Sequence, residues 1–372
     1  MQETMRTWAE ISLDNLEHNY RAIRAALPQG CRFLALMKAD AYGHGAVAAA
    51  RRLEECGADY FAVACLAEAL ELRRAGVKAP ILILGHTPED YTPILIAENL
   101  TQTVTCLAKA VEYSAAAVKY GGTLRIHLKI DTGMSRLGYL VAGQHFEQGV
   151  ENIVSSCTLP GLDAEGIYTH FAVSDEAGEE ARDYTLRQLE LFRSVIAAAQ
   201  ARGVSFRVRH CANSGGVLNY PEAAMDMVRP GLLLYGYGDG GRLGLKPCMR
   251  LMTHVSTIKI YDAHTKISYG GIYETETTTR VGVLPIGYAD GLFRCLSNKC
   301  EFYTQGGFAP QIGRICMDMC MIDLSRLPQA NVESTVEIFG PNASLDKLAA
   351  EAGTVPYELL CAVSKRVPRV YI

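Results

Sequence analysis

A lysine and a tyrosine in one short string carry the first chemistry that this sequence offers. The string is Met37-Lys38-Ala39-Asp40-Ala41-Tyr42-Gly43-His44-Gly45, and it directly follows the apolar run 33–36. The run predicts a buried strand, and the two glycines predict a turn into a helix. A lysine at the end of a buried strand loses hydration, which lowers the pKa of its amine. A neutral amine can form a Schiff base with an aldehyde, so Lys38 is a candidate nucleophile; the alternative is a lysine that extends from a strand end into solvent.

Other residues that could do chemistry also stand where apolar runs end. Lys129 and Arg136 flank the end of the run 124–130, and His170 ends the run 161–169. Two further runs are followed by, or contain, groups suited to an anion: Asn213, Ser214 and Gly215 after 206–210, and Arg229, Gly231 and Leu232 within 227–235. Ser214 offers a hydroxyl, and the glycines and Leu232 offer backbone N–H groups to an anion such as phosphate. Taken singly, such a glycine loop is usually an ordinary turn, and it is the common placement of these loops at strand ends that favours a site.

The elements that must position these residues alternate between strands and helices. The predicted strands are Phe33–Met37, Tyr60–Ala64, Ile81–Leu84, Gln102–Thr105, Leu124–Ile130, Gly161–Thr169, Phe206–His210 and Met227–Tyr235. Helical patterns lie between most of them, at 47–56, 67–75, 108–119, 144–156 and 182–201. Eight buried strands alternating with helices predict a parallel sheet closed into a (β/α)8 barrel of the TIM type, which places chemistry at the carboxyl ends of its strands. An open doubly wound sheet is the alternative, but no G-x-G-x-x-G follows the first strand.

The remaining segments predict a second, β-rich domain. A glycine-rich stretch after Tyr235 marks the boundary, so we assign residues 1–235 to the barrel and 236–372 to a C-terminal β-rich domain. Its predicted strands are 252–260, 280–285, 300–303, 311–316, 321–323 and 335–339, followed by short helices. The opening run Trp8–Leu13 alternates like a half-buried strand, and the first ten residues are alternatively part of the β domain.

Four strings of this second domain carry tyrosines, a cysteine or charges beside glycines. They are Ser268-Tyr269-Gly270, the string 285–291 with Tyr288, the string 313–318 with Cys316, Met317 and Asp318, and the string 354–358 with Tyr357. Tyrosines beside glycines often do no more than pack in turns, and Arg314 and Asp318 alternatively form a structural ion pair.

Composition excludes several classes of protein. A net charge of −4 without a basic stripe argues against nucleic-acid binding. No apolar stretch reaches the roughly 18 residues of a membrane helix, and the first ten residues lack a signal-peptide core. The twelve cysteines form no C-x-x-C pair or metal-ligand cluster. Several, such as Cys65 and Cys211, stand in apolar surroundings, which predicts buried free thiols in a reducing cytoplasm.

Taken together, these strings resemble the alanine racemase family in order from Trp8 to Arg369, nearly the whole chain. The resemblance implies a (β/α)8 barrel joined to a β domain, and a homodimer in which each barrel mouth is completed by the β domain of the other subunit. It implies pyridoxal 5'-phosphate as cofactor and no metal. It also implies interconversion of L- and D-alanine by two bases, for use in cell-wall peptidoglycan.

The resemblance assigns a role to each matching residue. Lys38 holds the cofactor aldehyde and is one base; Tyr269 of the other subunit is the second base. The other cofactor contacts are Tyr42, His170, Asn213, Ser214, Arg229, Gly231, Leu232 and Tyr357. Substrate contacts are Arg136, Met317, Tyr288, Tyr357, Cys316 and Asp318, and Lys129 matches a lysine that is often carbamylated.

Three alternatives remain open. The first is a serine or broad-specificity racemase of the same family, including the catalytic domain of vancomycin-resistance enzymes, because Pro356, Met319 and Gly215-Gly216 depart from residues common in the family. The second is a pyridoxal-phosphate binding protein without activity, against which the β domain with Tyr269 argues. The third, an amino-acid decarboxylase, lacks support because Lys38 stands in a racemase-like string.

Overall fold

The computed structural model describes residues 5–239 and 241–372, which form two compact units. One unit, here called the β unit, contains the chain up to Leu16, the segment Tyr42–Gly45 and Lys246–Ile372. The other, the barrel unit, contains Glu17–Ala41 and Ala46–Leu245. Over the described ranges, no helix combines the length and the apolar character needed to cross a bilayer.

Chain order begins with strand β1 (Thr7–Ile11) and helix α1 (Leu13–Ala25). The strands of the barrel unit are β2 (Arg32–Leu36), β3 (Tyr60–Val63), β4 (Ile81–Ile83), β5 (Leu100–Val104), β6 (Leu124–Asp131), β7 (Tyr139–Leu140), β8 (Leu162–Tyr168), β9 (Val208–His210) and β10 (Met227–Val228). Between them lie α2 (Ala46–Glu55), α3 (Leu66–Arg74), α4 (Thr92–Ala97), α5 (Leu107–Tyr120), α6 (Phe146–Cys157), α7 (Glu179–Ala201) and α8 (Ser214–Asn219).

Eight of these strands pair in parallel in the order β10-β2-β3-β4-β5-β6-β8-β9, and β7 pairs with β6 at the side. The ends of this path are joined by two backbone hydrogen bonds, from Asp226 N to Arg209 O (3.1 Å) and from Arg229 N to Ala212 O (2.9 Å). The predicted TIM-type barrel is therefore confirmed, and the open sheet is excluded. A barrel of this kind is a packed core with its loops at the carboxyl ends of the strands free to build a site.

Helix α5 illustrates why the sequence forms these elements. Its buried residues Ala110, Tyr113, Ser114 and Ala117 recur at three- and four-residue intervals on one face. The helix ends where Gly121 adopts φ +79° and donates its N–H to Ala117 O. Glycine takes this left-handed conformation without the steric cost that a side chain would add.

The predicted eighth strand, 227–235, is wrong beyond Val228. Residues Leu232–Tyr235 form a short 3₁₀ helix instead. Pro230 has no N–H to give to a neighbouring strand, so the ladder ends there. Arg229 consequently follows the last barrel strand and does not lie within it.

The β unit is built on a nine-stranded sheet in the order β12-β15-β18-β17-β16-β19-β11-β1-β20. The strands are β11 (Met249–His254), β12 (Thr257–Tyr261), β13 (Lys266–Ile267), β14 (Tyr273–Glu274), β15 (Thr279–Leu284), β16 (Glu301–Thr304), β17 (Gly307–Ile312), β18 (Cys320–Asp323), β19 (Thr335–Phe339) and β20 (Arg369–Tyr371), with helices α9 (Leu345–Ala352) and α10 (Pro356–Ala362). β13 and β14 pair only with each other. β1 lies between β11, to which it is antiparallel, and β20, to which it is parallel.

Three details of the prediction are wrong. The run 252–260 is divided between β11 and β12. The strand predicted at 311–316 ends at Ile312, because Gly313 turns at φ +72° and donates its N–H to the Asn298 side chain (2.6 Å). Cys65 is exposed at the start of α3, whereas Cys211 is buried as predicted.

Candidate active site

Lys38 follows β2 at the carboxyl end of the barrel, and the chain after it takes a rare path. Ala39, Asp40, Ala41 and Tyr42 have φ values of +52°, +55°, +56° and +52°, so four residues with side chains form one left-handed turn. Such a conformation costs roughly 1–2 kcal/mol per residue for L-amino acids. The glycine pattern predicted a turn after residue 42, but nothing in it pointed to left-handed backbone from residue 39. Strain of this size persists only where surrounding contacts hold it.

Hydrogen bonds from outside the turn hold it in place. Glu68, on the first turn of α3, accepts the N–H of Ala39 through Oε1 (2.7 Å) and the N–H of Ala64 through Oε2 (2.7 Å). Asp40 accepts the N–H of Ala46 at 2.7 Å, and so ties the turn to the start of α2. Sequence reasoning missed Glu68, because an acidic residue in a first helical turn is common and signals no specific role.

Basic side chains gather at the carboxyl ends of the barrel strands. Lys129 in β6 and Arg229 after β10 are buried, at 5% and 4% exposure, and His170 and Arg136 belong to loops at the same ends. Burial, followed by the nearby guanidinium groups of Arg136 and Arg229, lowers the pKa of Lys129 to about 8. Burial and the charges of Arg229, Lys129, Arg136 and Lys38 lower the pKa of His170 well below its ordinary value. The structure thus brings together Lys38, Lys129, Arg136, His170 and Arg229, as their places on the strands predicted.

Arg229 is held by neutral acceptors. Its Nη2 donates to the carbonyl oxygens of Thr169 (2.8 Å) and Cys211 (3.2 Å) and to Nδ1 of His170 (3.2 Å). Because arginine can only donate, Nδ1 of His170 must be an acceptor. His170 has a lowered pKa, so it is neutral and carries its proton on Nε2.

The loop after β9 and the loop after β10 are linked through Ser214. Its hydroxyl oxygen accepts the N–H of Gly231 (2.9 Å) and that of Leu233 (3.4 Å). The Gly231 N–H, predicted to face an anion, is thus already bonded to Ser214, while no described contact uses the hydroxyl proton. Asn213 caps α8 by accepting the N–H of Gly216 (2.9 Å). A Cβ at Gly215 would lie 2.6 Å from the Asp175 nitrogen, so this close approach requires glycine.

In the β unit, five of the predicted residues line one open pocket of about 1000 Å³. Its lining includes Tyr269, Tyr288, Cys316, Met317 and Asp318. Tyr269, Met317 and Tyr288 are 73%, 53% and 44% exposed. Large side chains with that much exposed surface are unusual for residues that only pack in turns, and they indicate a binding surface.

The charged residues beside this pocket do not form the Arg314–Asp318 ion pair that the sequence offered as an alternative. Asp318 binds Arg366, with 2.7 Å between Oδ1 and Nη2, and does not pair with Arg314. Arg366 also binds Asp290 at 2.7 Å. The alternative of an Arg314–Asp318 ion pair is therefore wrong.

Tyr42 and Tyr357 lie side by side within the β unit. Their ring centroids are 5.6 Å apart, and Tyr357 stands in the first turn of α10. Burial raises the pKa of Tyr42. The Tyr42 hydroxyl therefore stays protonated at neutral pH.

No group of three or more metal-binding side chains with suitable geometry occurs in the described ranges 5–239 and 241–372.

The chain matches two protein-family models: "Alanine racemase, N-terminal domain" over residues 11–239 and "Alanine racemase, C-terminal domain" over residues 248–371. The alanine racemase of Desulfovibrio desulfuricans is 42% identical over 374 residues, covering 98% of each chain. That of Desulforamulus reducens is 42% identical over 371 residues, again with 98% of each chain covered.

Solved structures of alanine racemases are also similar to this chain over nearly its whole length. The alanine racemase of Clostridium difficile 630 superposes with a TM-score of 0.93 at 36% identity, over 99% of this chain and 96% of that one. The Bacillus anthracis alanine racemase with bound L-Ala-P superposes with a TM-score of 0.87 at 32% identity, over 99% of this chain and 95% of that one. The two family models together cover most of the barrel unit and the β unit, and the relatives named above are 42% identical over 98% of the chain. The chain therefore belongs to the alanine racemase family.

Proposed function

We propose that this protein is a pyridoxal-phosphate-dependent racemase that interconverts L- and D-alanine and supplies D-alanine for peptidoglycan. The observation that carries this proposal is the cluster of Lys38, Lys129, Arg136 and Arg229 around His170 at one end of the barrel. Relatives over the full length are named alanine racemases, which supports the same reaction here.

The residues present fit such a cofactor. Pyridoxal phosphate is an anion with an aldehyde, and the barrel end offers a cation-rich surface with a lysine on a held turn. Burial lowers the pKa of Arg229 and that of Lys129, which shows that these cations lie in a poorly hydrated place. Electrostatic attraction to an anion is strongest in such a place. The hydroxyl proton of Ser214 suits a phosphate oxygen.

Each residue then has a task. Lys38 would hold the aldehyde carbon, and Arg229 would face the ring nitrogen. The phosphate would be surrounded by Ser214, Asn213, Gly231, Leu232, Tyr42 and Tyr357. When bound, the cofactor supplies an electron sink for the substrate carbanion. Because a guanidinium can only donate hydrogen bonds, it cannot accept one from a protonated ring nitrogen. Arg229 would therefore favour the unprotonated nitrogen and moderate the electron sink.

Racemisation needs one base on each face of the substrate Cα. We assign these roles to Lys38 and to Tyr269 of a second copy. A phenol with an ordinary pKa near ~10 is a poor base at neutral pH. A neutral His170, with Arg229 bound at Nδ1, presents its Nε2–H as a donor, and such a donor would stabilise a phenolate at Tyr269.

The exposure of Tyr269, which is 73% in its own chain, supports both a homodimer and this assignment. The pocket around it also exposes Tyr288 and Met317, and burial of this surface against the barrel end of a second copy would supply the missing base. Arg136 and the backbone of Met317 would bind the substrate carboxylate, with Cys316, Asp318 and Tyr288 alongside.

Tyr357 is the residue that we expect to limit the substrate to alanine. A tyrosine ring beside the substrate leaves space for a methyl group and offers little to a hydroxymethyl group. A single methylene is worth only ~1–3 kcal/mol in such a pocket. Serine racemisation is therefore a measurable second activity, and comparing kcat/KM for L-alanine and L-serine decides between the two substrates.

The test combines loading, mapping and activity. The purified protein is incubated with pyridoxal phosphate, its absorbance spectrum is recorded before and after borohydride, and peptides are mapped for the reduced adduct. We expect the adduct on Lys38 and none in Lys38→Ala, together with conversion of L-alanine to D-alanine. An adduct on another lysine would refute the assignment of Lys38, and a loaded protein without racemisation of alanine or serine would refute the proposed activity.

A further inference from the structure

A chain of hydrogen bonds leads from Arg229 through the core of the barrel to Glu165. Nη1 of Arg229 lies 2.9 Å from Nδ1 of His210, and Nε2 of His210 lies 2.9 Å from Nδ1 of His127. Nε2 of His127 lies 3.2 Å from Oε2 of Glu165, which also accepts the hydroxyl of Tyr60. Arg229 stands at the carboxyl ends of the strands, whereas Glu165 is the middle residue of β8 and Tyr60 is the first residue of β3.

The two histidines occupy places that the surrounding residues shape for them. Both imidazoles are 0% exposed. The ring of Tyr168 stacks on His210 at 4.7 Å with an interplanar angle of 13°. A Cβ at Gly166 would lie 2.6 to 2.7 Å from three atoms of the His127 ring, so glycine is required there. Core histidines with this much support have fixed orientations.

A donor-only guanidinium at one end of this chain and a carboxylate acceptor at the other end require the same direction for every bond. Arg229 donates to His210 Nδ1, so a neutral His210 carries its proton on Nε2 and donates to His127 Nδ1. A neutral His127 then carries its proton on Nε2 and donates to Glu165. Burial lowers the pKa of both histidines, which supports the neutral forms. Glu165 is the acceptor at the end: burial raises its pKa, but the hydrogen bonds of His127 and Tyr60 lower it to about 2.

Within residues 5–239 and 241–372, every hydrogen bond of the Arg229 guanidinium goes to a neutral acceptor. A buried cation without a carboxylate partner is costly unless its charge is balanced through other groups. The two polarised imidazoles connect this cation to Glu165, whose carboxylate also lies 3.8 Å from Nε of Arg125 and 4.0 Å from Nη2 of Arg207. Polarised chains of this kind strengthen each bond.

We propose that Glu165 is a positioning residue for Arg229 and acts through His127 and His210. By fixing both tautomers, the carboxylate holds His210 as an acceptor and thereby sets the orientation of the guanidinium. The consequence for catalysis rests on the proposed function of Arg229 at the cofactor ring, whereas the tautomers themselves do not.

Neutron diffraction of the deuterium-exchanged full-length protein tests the tautomers without any activity measurement. We expect a single deuterium on Nε2 of His127, a single deuterium on Nε2 of His210, and none on Glu165. Deuterium on Nδ1 of either ring, or a doubly protonated His127, would overturn the proposal. If the tautomers are as expected but the wild-type protein has no racemase activity, only the proposed function is refuted.

Variants at the far end of the chain test the positioning role. Glu165→Gln keeps an oxygen that can accept from His127, so we expect kcat and KM within about threefold of wild type. Glu165→Leu removes the acceptor, and we expect kcat to fall by about tenfold or more while KM for L-alanine stays within about threefold. Tyr60→Phe removes the other bond to the same carboxylate and serves as the matched control, with kcat within about threefold.

The pattern of these variants separates positioning from stability. Equal kcat for the leucine and glutamine variants would overturn the proposal, and so would a loss in Tyr60→Phe as large as in Glu165→Leu. If Glu165→Leu does not fold, the neutron map of the wild-type protein decides, because the tautomers predicted there follow from the same chain.

Discussion

Ala39 donates its backbone N–H to the carboxylate of Glu68 at 2.7 Å, across 29 residues of chain. The second oxygen of the same carboxylate binds Ala64 N. A bidentate acceptor therefore fastens the left-handed turn after Lys38 to the neighbouring strand end. The backbone that follows the proposed cofactor lysine is thus held by a residue from outside the turn.

We predict that Glu68→Gln destabilises this turn. An amide can accept only through its oxygen, so one of the two backbone N–H groups loses its partner, at a cost of about 1–3 kcal/mol. Hydrogen exchange followed by mass spectrometry should show faster exchange in the peptides that contain residues 39 and 64. Glu71→Gln, an exposed position on the same helix, is the control. Unchanged exchange in the Glu68 variant would show that the turn is held by other contacts.

Mixing two inactive variants tests the shared active site. Lys38→Ala and Tyr269→Phe remove one base each, and we expect each variant alone to lose about 10²–10⁴-fold in kcat. If each site takes its tyrosine from the other subunit, a hybrid dimer has one site with both bases and one with neither. Denaturing and refolding an equal mixture should then recover about a quarter of wild-type activity, because half of the dimers are hybrids. No recovery would place both bases in one chain.

Carbamylation of Lys129 should depend on pH in a defined direction. The reaction consumes the neutral amine, and the lowered pKa of about 8 makes that form available near physiological pH. With ¹³C-labelled bicarbonate, we expect a carbamate resonance that grows as pH rises through 8 and fades on acidification. Lys129→Gln should lack it. A crystal structure should show electron density beyond Nζ of Lys129. If neither experiment detects a carbamate, Lys129 is an unmodified lysine at the end of the barrel.

Substrate choice should change with Tyr357. We expect Tyr357→Ser to raise kcat/KM for L-serine relative to L-alanine by about 10–200-fold, the range available from one small group in a pocket. Tyr357→Phe keeps the ring and should leave the ratio within a few fold. A serine variant with an unchanged ratio would mean that other residues limit the pocket.

Acid should destabilise the barrel through its buried histidines. His127, His170 and His210 have lowered pKa values in the folded state, so below the unfolded-state value of about 6.5 the unfolded chain binds more protons. Their contribution to stability is complete above pH 6.5 and declines as pH falls below it. Glu165, with its pKa at about 2, adds a further loss below its ordinary value of 4.5. Urea midpoints measured against pH should fall from pH 6.5 downward, and less steeply in His127→Gln; equal slopes would exclude His127 as a contributor.

Much of the fold could be predicted because the barrel repeats one pattern. Buried strands and amphipathic helices differ in period, and each of the eight strands was located within a few residues, apart from the end of the last. The clustering of Lys38, Lys129, His170 and Arg229 followed from the rule that parallel strands end at one edge.

What could not be predicted depends on contacts between distant segments. No local signal gives Ala39, Asp40 and Ala41 a left-handed backbone, because their propensities favour the opposite hand. Glu68 resembles any acidic residue in a first helical turn. His127 and His210 offered a weak signal, since each is a histidine inside an apolar strand run, but only the structure pairs them with each other and with Glu165.

The place of β1 in the β unit has a consequence for how the protein is made. This strand is translated before both of its neighbours in the sheet, Met249–His254 and Arg369–Tyr371. Residues 17–41 and 46–239 can collapse while synthesis continues, but β1 stays without its sheet partners until β11 and then β20 have been translated. Removal of β20 alone would therefore leave β1 without one of its two partners in the sheet.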